Sequence, residues 1–315
     1  MRYHPYVTCV GGAVLNRSYR VTGPVVLGKS HPATGGTAYG GVARNVAENL
    51  TRLGVRAALV SVVGDDVPGR ALLDDLDRIG VDTWAVRPIA GRTTATSSTV
   101  RGPGDELVLG VSDTGVLDEM TPERVVEPLS RVETGAWIFA DATLPDATHT
   151  RLASTRRTRD LRLAVDTVSV ARAARVPADL GAVDVLFTNL DEARVLLVDR
   201  RRPPGETAHD AALALLDAGV RSVVLTLGAE GQVVADADGV TMLPAVPSAV
   251  LDVEGAGDAL VGGTLADLVV GRPLREAVAT GAAAAALATE VRPQVHPRLT
   301  RQLVDARRAA VPEGV

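Results

Sequence analysis

The chain has 315 residues, 46% of them hydrophobic, and a formal net charge of −5 at pH 7. That size can bury the core of one large α/β domain, and the negative charge argues against a broad basic face that binds nucleic acid. The single cysteine, Cys9, excludes an internal disulfide and fits a reducing compartment. No apolar run approaches the roughly 18 residues that a membrane span needs, and the N-terminus lacks the apolar core of a signal peptide. We therefore expect a cytoplasmic protein that binds neither nucleic acid nor membranes.

The spacing of apolar residues predicts alternating strands and helices after an irregular start. The segment 13–35 is rich in Gly, Pro, Ser and Thr, so we expect short strands and loops there. Residues 93–112 are rich in Thr, Ser and Val around a Gly-Pro-Gly break, which predicts two antiparallel strands. The other predicted elements are strand 6–10, helix 41–53, strand 57–63, helix 70–79, strand 136–140, helix 146–157, strand 161–165, strand 184–187, helices 190–198 and 207–218, strand 221–226, a hairpin over 231–243, and helices 257–270 and 274–289.

This order of elements predicts one α/β domain over residues 1–315. Strands that alternate with helices form parallel sheets with right-handed crossovers. The segments 13–35 and 93–112 interrupt that alternation, so we expect them to form one small lid sheet over the carboxyl ends of the strands, where open α/β sheets bind ligands.

Residues 23–30 fit the P-loop pattern of nucleotide-binding proteins letter for letter. In that motif, however, the lysine and serine open a helix whose N–H groups hold the phosphates. Here His31 and Pro32 follow, and proline does not continue a helix. We therefore expect a solvated loop, with Lys29 on its surface.

The stretch 252–263 contains a glycine turn that opens directly into an apolar run. Gly255, Ala256 and Gly257 form the turn, and Asp258 follows it. Free N–H groups at such a helix start bind phosphate oxygens, and a neighbouring carboxylate can remove the proton of an alcohol. The pattern indicates phosphoryl transfer to a hydroxyl. The alternative is a glycine-rich loop in which Asp258 is an ordinary residue of the first helical turn.

This stretch resembles the C-terminal signature of the ribokinase-like, or phosphofructokinase-B type, sugar and nucleoside kinases, Asp-Thr-x-Gly-Ala-Gly-Asp. Val253 and Glu254 depart from that pattern. The resemblance implies a three-layer α/β fold with a mostly parallel central sheet and a β-sheet lid. It also implies that Asp258 is the catalytic base, that residues 255–257 form the anion hole, and that the enzyme uses ATP and Mg²⁺.

A second stretch resembles the family's N-terminal signature, whose asparagine binds the sugar. It begins with Gly40 and Gly41 and places Arg44 and Asn45 in the first turn of a helix, which is closest to the pseudouridine kinase branch. Nearer the N-terminus, Val14 and Asn16 stand where the family has asparagine and aspartate. The substrate-binding residues that the resemblance implies are Asn16, Gly40, Gly41, Arg44, Asn45, Thr94, Thr96, Asp113 and Asp166.

Asp113 is the candidate for recognition of the nucleoside base. A C-nucleoside has a free imide N–H where an ordinary pyrimidine nucleoside has its glycosidic bond, and a carboxylate at the end of the second lid strand could accept from it. The alternative is that Asp113 only caps the turn at Gly115.

The second half of the chain supplies the expected nucleotide and metal residues. Asn189 and Glu192 share a helix face and could hold a hydrated Mg²⁺, and the alternative is that the two residues only cap the helix. The resemblance places the adenine between a glycine loop and the helix carrying residues 282–286, and it implies a K⁺ ion at Asp252. The implied nucleotide-binding residues are Asn189, Thr226, Gly228, Gly231, Gly255 and Gly257.

These inferences predict an ATP-dependent kinase that phosphorylates the 5′-hydroxyl of a nucleoside, with pseudouridine as the favoured substrate. A kinase for ribose, adenosine or a ketohexose would share every phosphate residue and differ only in the lid and at Asn16. A non-catalytic ligand-binding protein on the same fold is the other alternative. Exposed edges of the lid predict a homodimer that pairs through them.

Overall fold

A computed structural model describes residues 6–310 of the chain. The strands are β1 Tyr6–Val10, β2 Val14–Val21, β3 Ala33–Gly40, β4 Arg56–Gly64, β5 Asp82–Ile89, β6 Thr96–Arg101, β7 Leu107–Asp113, β8 Trp137–Asp141, β9 Arg162–Asp166, β10 Val185–Asn189, β11 Val223–Thr226, β12 Gln232–Asp236 and β13 Gly239–Leu243. The helices are α1 Val42–Arg52, α2 Val67–Ile79, α3 Pro122–Leu129, α4 Asp146–Thr158, α5 Leu190–Asp199, α6 Ala208–Asp217, α7 Ala256–Leu268, α8 Leu274–Thr289 and α9 Arg301–Ala309.

A nine-stranded sheet forms the middle of the molecule, in the order β13-β12-β11-β10-β9-β8-β1-β4-β5. Its strands are parallel from β11 to β5, and β12 and β13 add an antiparallel hairpin at one edge. The predicted mostly parallel central sheet is therefore confirmed.

Helices cover both faces of this sheet. Val7 and Cys9 of β1 point into a core shared with α1, α2, α7, α8 and α9, whereas Val10 points into a second core formed with α3 to α6. Successive side chains of one strand point to opposite faces of the sheet, and helices bury both faces. The result is a three-layer α/β structure.

The segments predicted to form the lid make a separate four-stranded sheet in the order β3-β2-β6-β7, which we call the lid sheet. The two halves of this sheet meet where β2 and β6 run parallel, and β6 and β7 form the expected antiparallel hairpin. The strands are longer than predicted, because β3 continues to Gly40 at the entrance of α1.

Residues 23–30 lie in the loop between β2 and β3, and no helix follows them, as predicted for a solvated loop. The elements β5, α3 and α9 were not predicted. Proline residues at both ends of α3 and the polar composition of α9 obscure their periodicity. Within residues 6–310, no helix is both long and apolar enough to cross a membrane.

Candidate active site

The strand order places a crevice beside the carboxyl end of β1. The chain leaves β1 for β4 on one side, whereas β8 lies on the other, and ligands bind at such switch points. Asp141 ends β8 and is paired in register with Asp166, which ends β9. Asn189 and Thr226 end the next strands, β10 and β11, in the same way. The sheet therefore gathers polar residues from four strands at one edge.

Asp141 is a fully buried carboxylate that was not predicted from the sequence. One of its oxygens, Oδ2, accepts from the backbone N–H groups of Gly12 and Ala43, each at 3.0 Å. Its other oxygen accepts from the N–H of Thr143 at 2.9 Å and from the Thr143 hydroxyl. Because Gly41 has no side chain with which to cap α1, Asp141 supplies an acceptor for that helix start from another strand.

The glycines around this carboxylate are required for close packing of the chain. A Cβ atom added at Gly11 would lie less than 3.0 Å from the Asp141 carboxylate, and one at Gly41 would lie that close to the Gly12 carbonyl. Gly41 also has a φ of 100°, which favours glycine. The sequence predicted that Gly40 and Gly41 bind the substrate, whereas the structure shows the close approach of neighbouring backbone at Gly41.

Asp258 lies in the first turn of α7, and Asn45 of α1 faces it. The Asn45 amide donates to Asp258 Oδ2 at 2.7 Å and also to Gln294 Oε1 at 3.1 Å. Burial raises the pKa of Asp258 to about 7, although the hydrogen bond from Asn45 opposes that shift. A carboxyl with a pKa near neutrality is suited to accept and release a proton at physiological pH.

The N-terminus of α7 has the features of an anion site. Gly255 caps the helix with a φ of 83°. Among the described residues, the N–H groups of Gly255, Gly257 and Asp258 have no protein acceptor. A Cβ atom at Gly257 would meet nothing within 4 Å, so the space in front of this turn is open. Free donors and the helix dipole together favour a negatively charged group there.

Other carboxylates add negative charge to the same edge of the sheet. The pKa of Asp166 is raised well above its usual value, first by burial and then by the charges of Asp258, Glu192 and Asp141. Among the described residues, the carboxylate of Asp166 accepts one hydrogen bond, from the N–H of Val168 at 2.7 Å. An arrangement of this kind is stabilised by a cationic ligand or by protonation.

Asn189 and Glu192 form the helix cap that the sequence left open as an alternative. Asn189 Oδ1 accepts from the Glu192 N–H at 2.9 Å, and Asn189 Nδ2 donates to Glu192 Oε1 at 2.7 Å. Glu192 Oε2 also accepts from the Thr167 hydroxyl at 2.5 Å. Within residues 6–310, no group of three or more His, Cys, Asp and Glu side chains is arranged to hold a metal ion. The pair therefore fits a Mg²⁺ ion only through the ion's water ligands.

The glycine loop after β11 contains two glycines with different environments. A Cβ atom at Gly228 would meet nothing within 4 Å, so this position is open to a ligand. At Gly231 it would lie less than 3.0 Å from the Leu243 carbonyl, which makes that glycine a packing requirement. Thr226 is half-buried, and its hydroxyl donates to the Thr188 carbonyl at 3.4 Å.

A cavity of about 540 Å³ separates the lid sheet from the turn before α7. Asn16 and Asp252, two of the predicted site residues, lie in its wall, as does Gln294, which was not predicted. The remaining lining residues are Arg17, Ser18, Arg20, Gly36, Thr37, Ala38, Ser97, Thr99, Arg101, Asp105, Glu254, Arg292 and Pro293. Gly40 stands at the end of β3, where a Cβ atom would collide with Asn16 and Gln294.

Several predicted substrate residues contact the protein itself. Arg44 is buried and pairs with Asp75 at 2.9 Å and with Glu48. Thr94 is also buried, and its hydroxyl donates to Asp66, the cap of α2, at 2.5 Å. These contacts stabilise helices, and Arg44 Nε, which has no partner among the described residues, is buried.

Asp113 and Thr96 face each other across β6 and β7, as expected for the ends of the lid strands. Asp113 is exposed and accepts from the N–H of Gly115 at 3.3 Å and from the Thr93 hydroxyl at 3.4 Å. The turn-capping alternative for Asp113 is thus present, while its second oxygen remains at the surface. Thr96 is half-buried.

The mostly parallel sheet, the lid sheet and the glycine turn beside Asp258 are the features expected of the class of α/β small-molecule kinases. The model of the pfkB family of carbohydrate kinases matches residues 5–297. The chain therefore belongs to the pfkB family.

Curated relatives cover most of the chain at low identity. The pseudouridine kinase of Escherichia coli (strain K12) is 27% identical over 293 residues, which are 92% of this chain and 93% of that protein. The ATP-dependent ribose-1-phosphate kinase of Halopiger xanaduensis is 32% identical over 248 residues, which are 77% of this chain and 79% of that protein. Relatives at this distance thus carry different substrate names.

Solved structures share the fold over nearly the whole length. A carbohydrate kinase from Agrobacterium tumefaciens is 30% identical with a TM-score of 0.84, and the match covers 98% of each chain. An Arabidopsis thaliana ribokinase complexed with ribose and ATP has a TM-score of 0.83 at 22% identity, with 96% of this chain and 98% of that chain covered. The second likeness shows the fold alone, which is ribokinase-like as the sequence predicted.

Proposed function

We propose that this protein is an ATP-dependent kinase that phosphorylates the 5′-hydroxyl of a nucleoside, with pseudouridine as its substrate. The observation that carries the kinase assignment is the carboxylate of Asp258 beside free N–H groups at the start of α7. The curated pseudouridine kinase, alignable over 92% of this chain, supports the choice of substrate. The carboxylate of Asp113 at the end of a lid strand supports it further.

In this mechanism Asp258 accepts the proton of the substrate hydroxyl as the oxygen attacks the γ-phosphorus of ATP. The bond from that phosphorus to the bridging oxygen of ADP breaks as the new bond forms. The N–H groups of Gly255 and Gly257, which have no protein acceptor among the described residues, stabilise the charge on the transferring group. The N–H of Ala256, the third residue predicted for the anion hole, instead donates to the Val253 carbonyl at 3.3 Å. Asn45 holds the carboxylate of Asp258 toward the hydroxyl.

Substrate and nucleotide bind on opposite sides of this turn in the proposal. Asn16 and the end of β3 at Gly40 contact the sugar from the lid side, where the cavity lies. The loop at Thr226 and Gly228 receives the nucleotide, since the space around Gly228 is open. Closure of the lid sheet over the cavity would exclude water and limit hydrolysis of ATP.

Two cations belong to the proposal. Mg²⁺, held through water by Asn189 and Glu192, supplies neutralising charge to the phosphates when it is bound. K⁺ near Asp252 would add positive charge behind the anion site, since Asp252 lies three residues before Gly255. Assays with tetramethylammonium in place of K⁺ test the second ion, and equal turnover in both salts would remove it from the proposal.

A specific observation favours a second candidate substrate, a sugar that already carries a phosphate. Arg17, Arg20, Arg101 and Arg292 line the cavity, and within the described residues Arg17 and Arg292 have no carboxylate partner. Guanidinium groups are the preferred protein partners of phosphate. The curated ribose-1-phosphate kinase, at 32% identity, points to the same chemistry.

A substrate panel with coupled detection of ADP separates these candidates. The panel contains pseudouridine, uridine, adenosine, ribose, a ketohexose and ribose 1-phosphate. We expect the largest kcat/KM with pseudouridine, and Asp113→Ala should reduce its preference over uridine. Preference for ribose 1-phosphate would select the second candidate, and absence of ADP release with every compound would favour a ligand-binding protein.

We also propose a homodimer that forms through the lid sheet. Leu107, Leu109 and Val111 project from the edge strand β7 and are 55–60% exposed. Apolar side chains on an unpaired strand edge favour association with a second copy. Light scattering after size exclusion should give twice the chain mass, and Leu109→Glu should yield monomers. A monomeric wild-type protein at micromolar concentration would contradict this arrangement.

A further inference from the structure

Four side chains link the lid sheet to Asp258 in an unbroken series of polar contacts. Arg101 of β6 lies 3.4 Å from Glu254 Oε1, and Glu254 Oε2 accepts from Gln294 Nε2 at 3.3 Å. Gln294 Oε1 then accepts from Asn45 Nδ2 at 3.1 Å, and Asn45 Nδ2 donates to Asp258 at 2.7 Å. The residue at the centre of the series, Gln294, belongs to neither of the family signatures found in the sequence.

Gln294 occupies a slot that two glycines create. A Cβ atom at Gly40 would lie less than 3.0 Å from the Gln294 amide oxygen. A Cβ atom at Gly255 would lie that close to the Gln294 backbone carbonyl. The backbone of Gln294 is therefore fixed against the cap of α7, and its side-chain amide lies against the end of lid strand β3.

The orientation of the Asn45 amide depends on this neighbour. Both of its N–H bonds have acceptors, one on Asp258 and one on Gln294, and its oxygen accepts from Arg44 at 3.1 Å. An amide with all of these partners has one favourable orientation. Loss of the Gln294 acceptor would leave the amide free to turn away from Asp258.

We propose that Gln294 is a positioning residue that holds the Asn45 amide against Asp258 and links that contact to the lid sheet through Glu254 and Arg101. The inference rests on the proposed role of Asp258 as the base. Because Arg101 is carried by lid strand β6, a displaced lid would release Glu254 and then Gln294. The catalytic carboxylate would therefore be fully oriented only when the lid is in place.

Gln294→Met tests the positioning role, because methionine keeps the length of the side chain and removes its polar atoms. We expect kcat to fall about tenfold and the KM for ATP to change less than about twofold. The acid limb of the kcat profile should move upward by about 0.5–1 pH unit, since Asp258 loses a hydrogen bond that favours its charged form. The matched control is Gln302→Met on the exposed side of α9, which should change none of these values.

The pH readout separates positioning from general damage to the fold. The other charged groups that face Asp258 are Arg44 from α1, Asp141 from β8 and Asp166 from β9, and Gln294→Met alters none of them. An unchanged acid limb in Gln294→Met would overturn the proposal. An unchanged limb with a lower KM for the hydroxyl substrate would mean instead that Gln294 only occupies the place of a substrate hydroxyl.

Arg101→Met tests the connection to the lid and remains informative if Gln294→Met does not fold. Arg101 is half-buried, and apart from Glu254 its side chain contacts only the Asp105 carbonyl of the same hairpin among the described residues, so its replacement should not affect folding. We expect a shift of the acid limb in the same direction, and the double variant should be no more impaired than Gln294→Met alone. Additive losses in kcat would show that the two residues act independently and would overturn the link.

Failure of this inference differs from failure of the proposed function. If Asp258→Asn keeps its turnover, the base assignment fails and no acid limb can be ascribed to that carboxyl. If Asp258→Asn is inactive while the Gln294 and Arg101 variants keep the wild-type profile, only the positioning role fails.

Discussion

Replacement of Asp141 by alanine should destabilise the protein strongly, because this carboxylate joins three parts of the chain. It accepts from the N–H groups of Gly12, Ala43 and Thr143 at 2.9–3.0 Å, and it is completely buried. Each buried donor left without an acceptor costs about 1–3 kcal/mol. Water that enters the vacated space offsets part of the sum, so we expect a loss of about 3–5 kcal/mol in the free energy of unfolding.

Equilibrium unfolding in urea, followed by circular dichroism, measures this loss. Asp141→Asn should lower the free energy of unfolding by about half as much. The amide oxygen of the asparagine still accepts hydrogen bonds, whereas its NH₂ group faces a backbone donor. The matched control is Asp217→Ala, since Asp217 is exposed at the end of α6, and its change should stay within about 0.5 kcal/mol. A loss below about 1 kcal/mol in Asp141→Ala would refute the view that this carboxylate holds the β1 turn and the start of α1 together.

Three further predictions concern the turn before α7 and the neighbouring carboxylates. Because the pKa of Asp258 is about 7 and the base must be ionised, kcat/KM should rise about tenfold per pH unit below pH 7 and level off above pH 7. A kcat/KM that stays constant down to pH 5 would contradict the assignment. Gly255→Ala should lower the free energy of unfolding by about 2 kcal/mol or more, since Gly255 has a positive φ and the new Cβ would meet the Gln294 carbonyl. Gly257→Ala should not destabilise the protein, because a Cβ there would meet nothing. Calorimetry compares the two variants, and equal melting temperatures would be inconsistent with the turn described. Because the pKa of Asp166 is raised in the folded protein, the protein should lose stability as pH rises through that pKa. Asp166→Asn should therefore raise the midpoint of urea unfolding at pH 8 but not near pH 4. A lower midpoint at pH 8 would argue against the charge repulsion.

The parts of the fold that depend on local signals could be predicted from the sequence. The glycine turn at residues 255–257 and the buried strands at the centre of the sheet have patterns confined to a few neighbouring residues. The Asn189 and Glu192 pair was found in the same way, but spacing alone could not separate a helix cap from a metal site. The structure shows the cap, because both side chains bond to each other.

The parts of the site that depend on distant pairing could not be predicted. Asp141 acts on Gly12, a residue 129 positions away, and its role follows only from the neighbouring positions of β1 and β8. The sole local signal was an aspartate directly after a buried strand. Likewise, the pairing of Arg44 with Asp75 and the contact of Gln294 with Asn45 join helices and loops far apart in the chain. The resemblance therefore implied ligand binding for Arg44, a side chain that the fold uses internally.

The turnover of Asp258→Asn measures the central claim most directly. Asparagine keeps the size of the side chain and can still contact Asn45, but it cannot take a proton. With the substrate that gives the highest kcat/KM, we expect kcat to fall about 10³-fold or more, while the KM for ATP stays within about threefold. A variant that keeps more than about a tenth of wild-type turnover would contradict the assignment of Asp258 as the catalytic base.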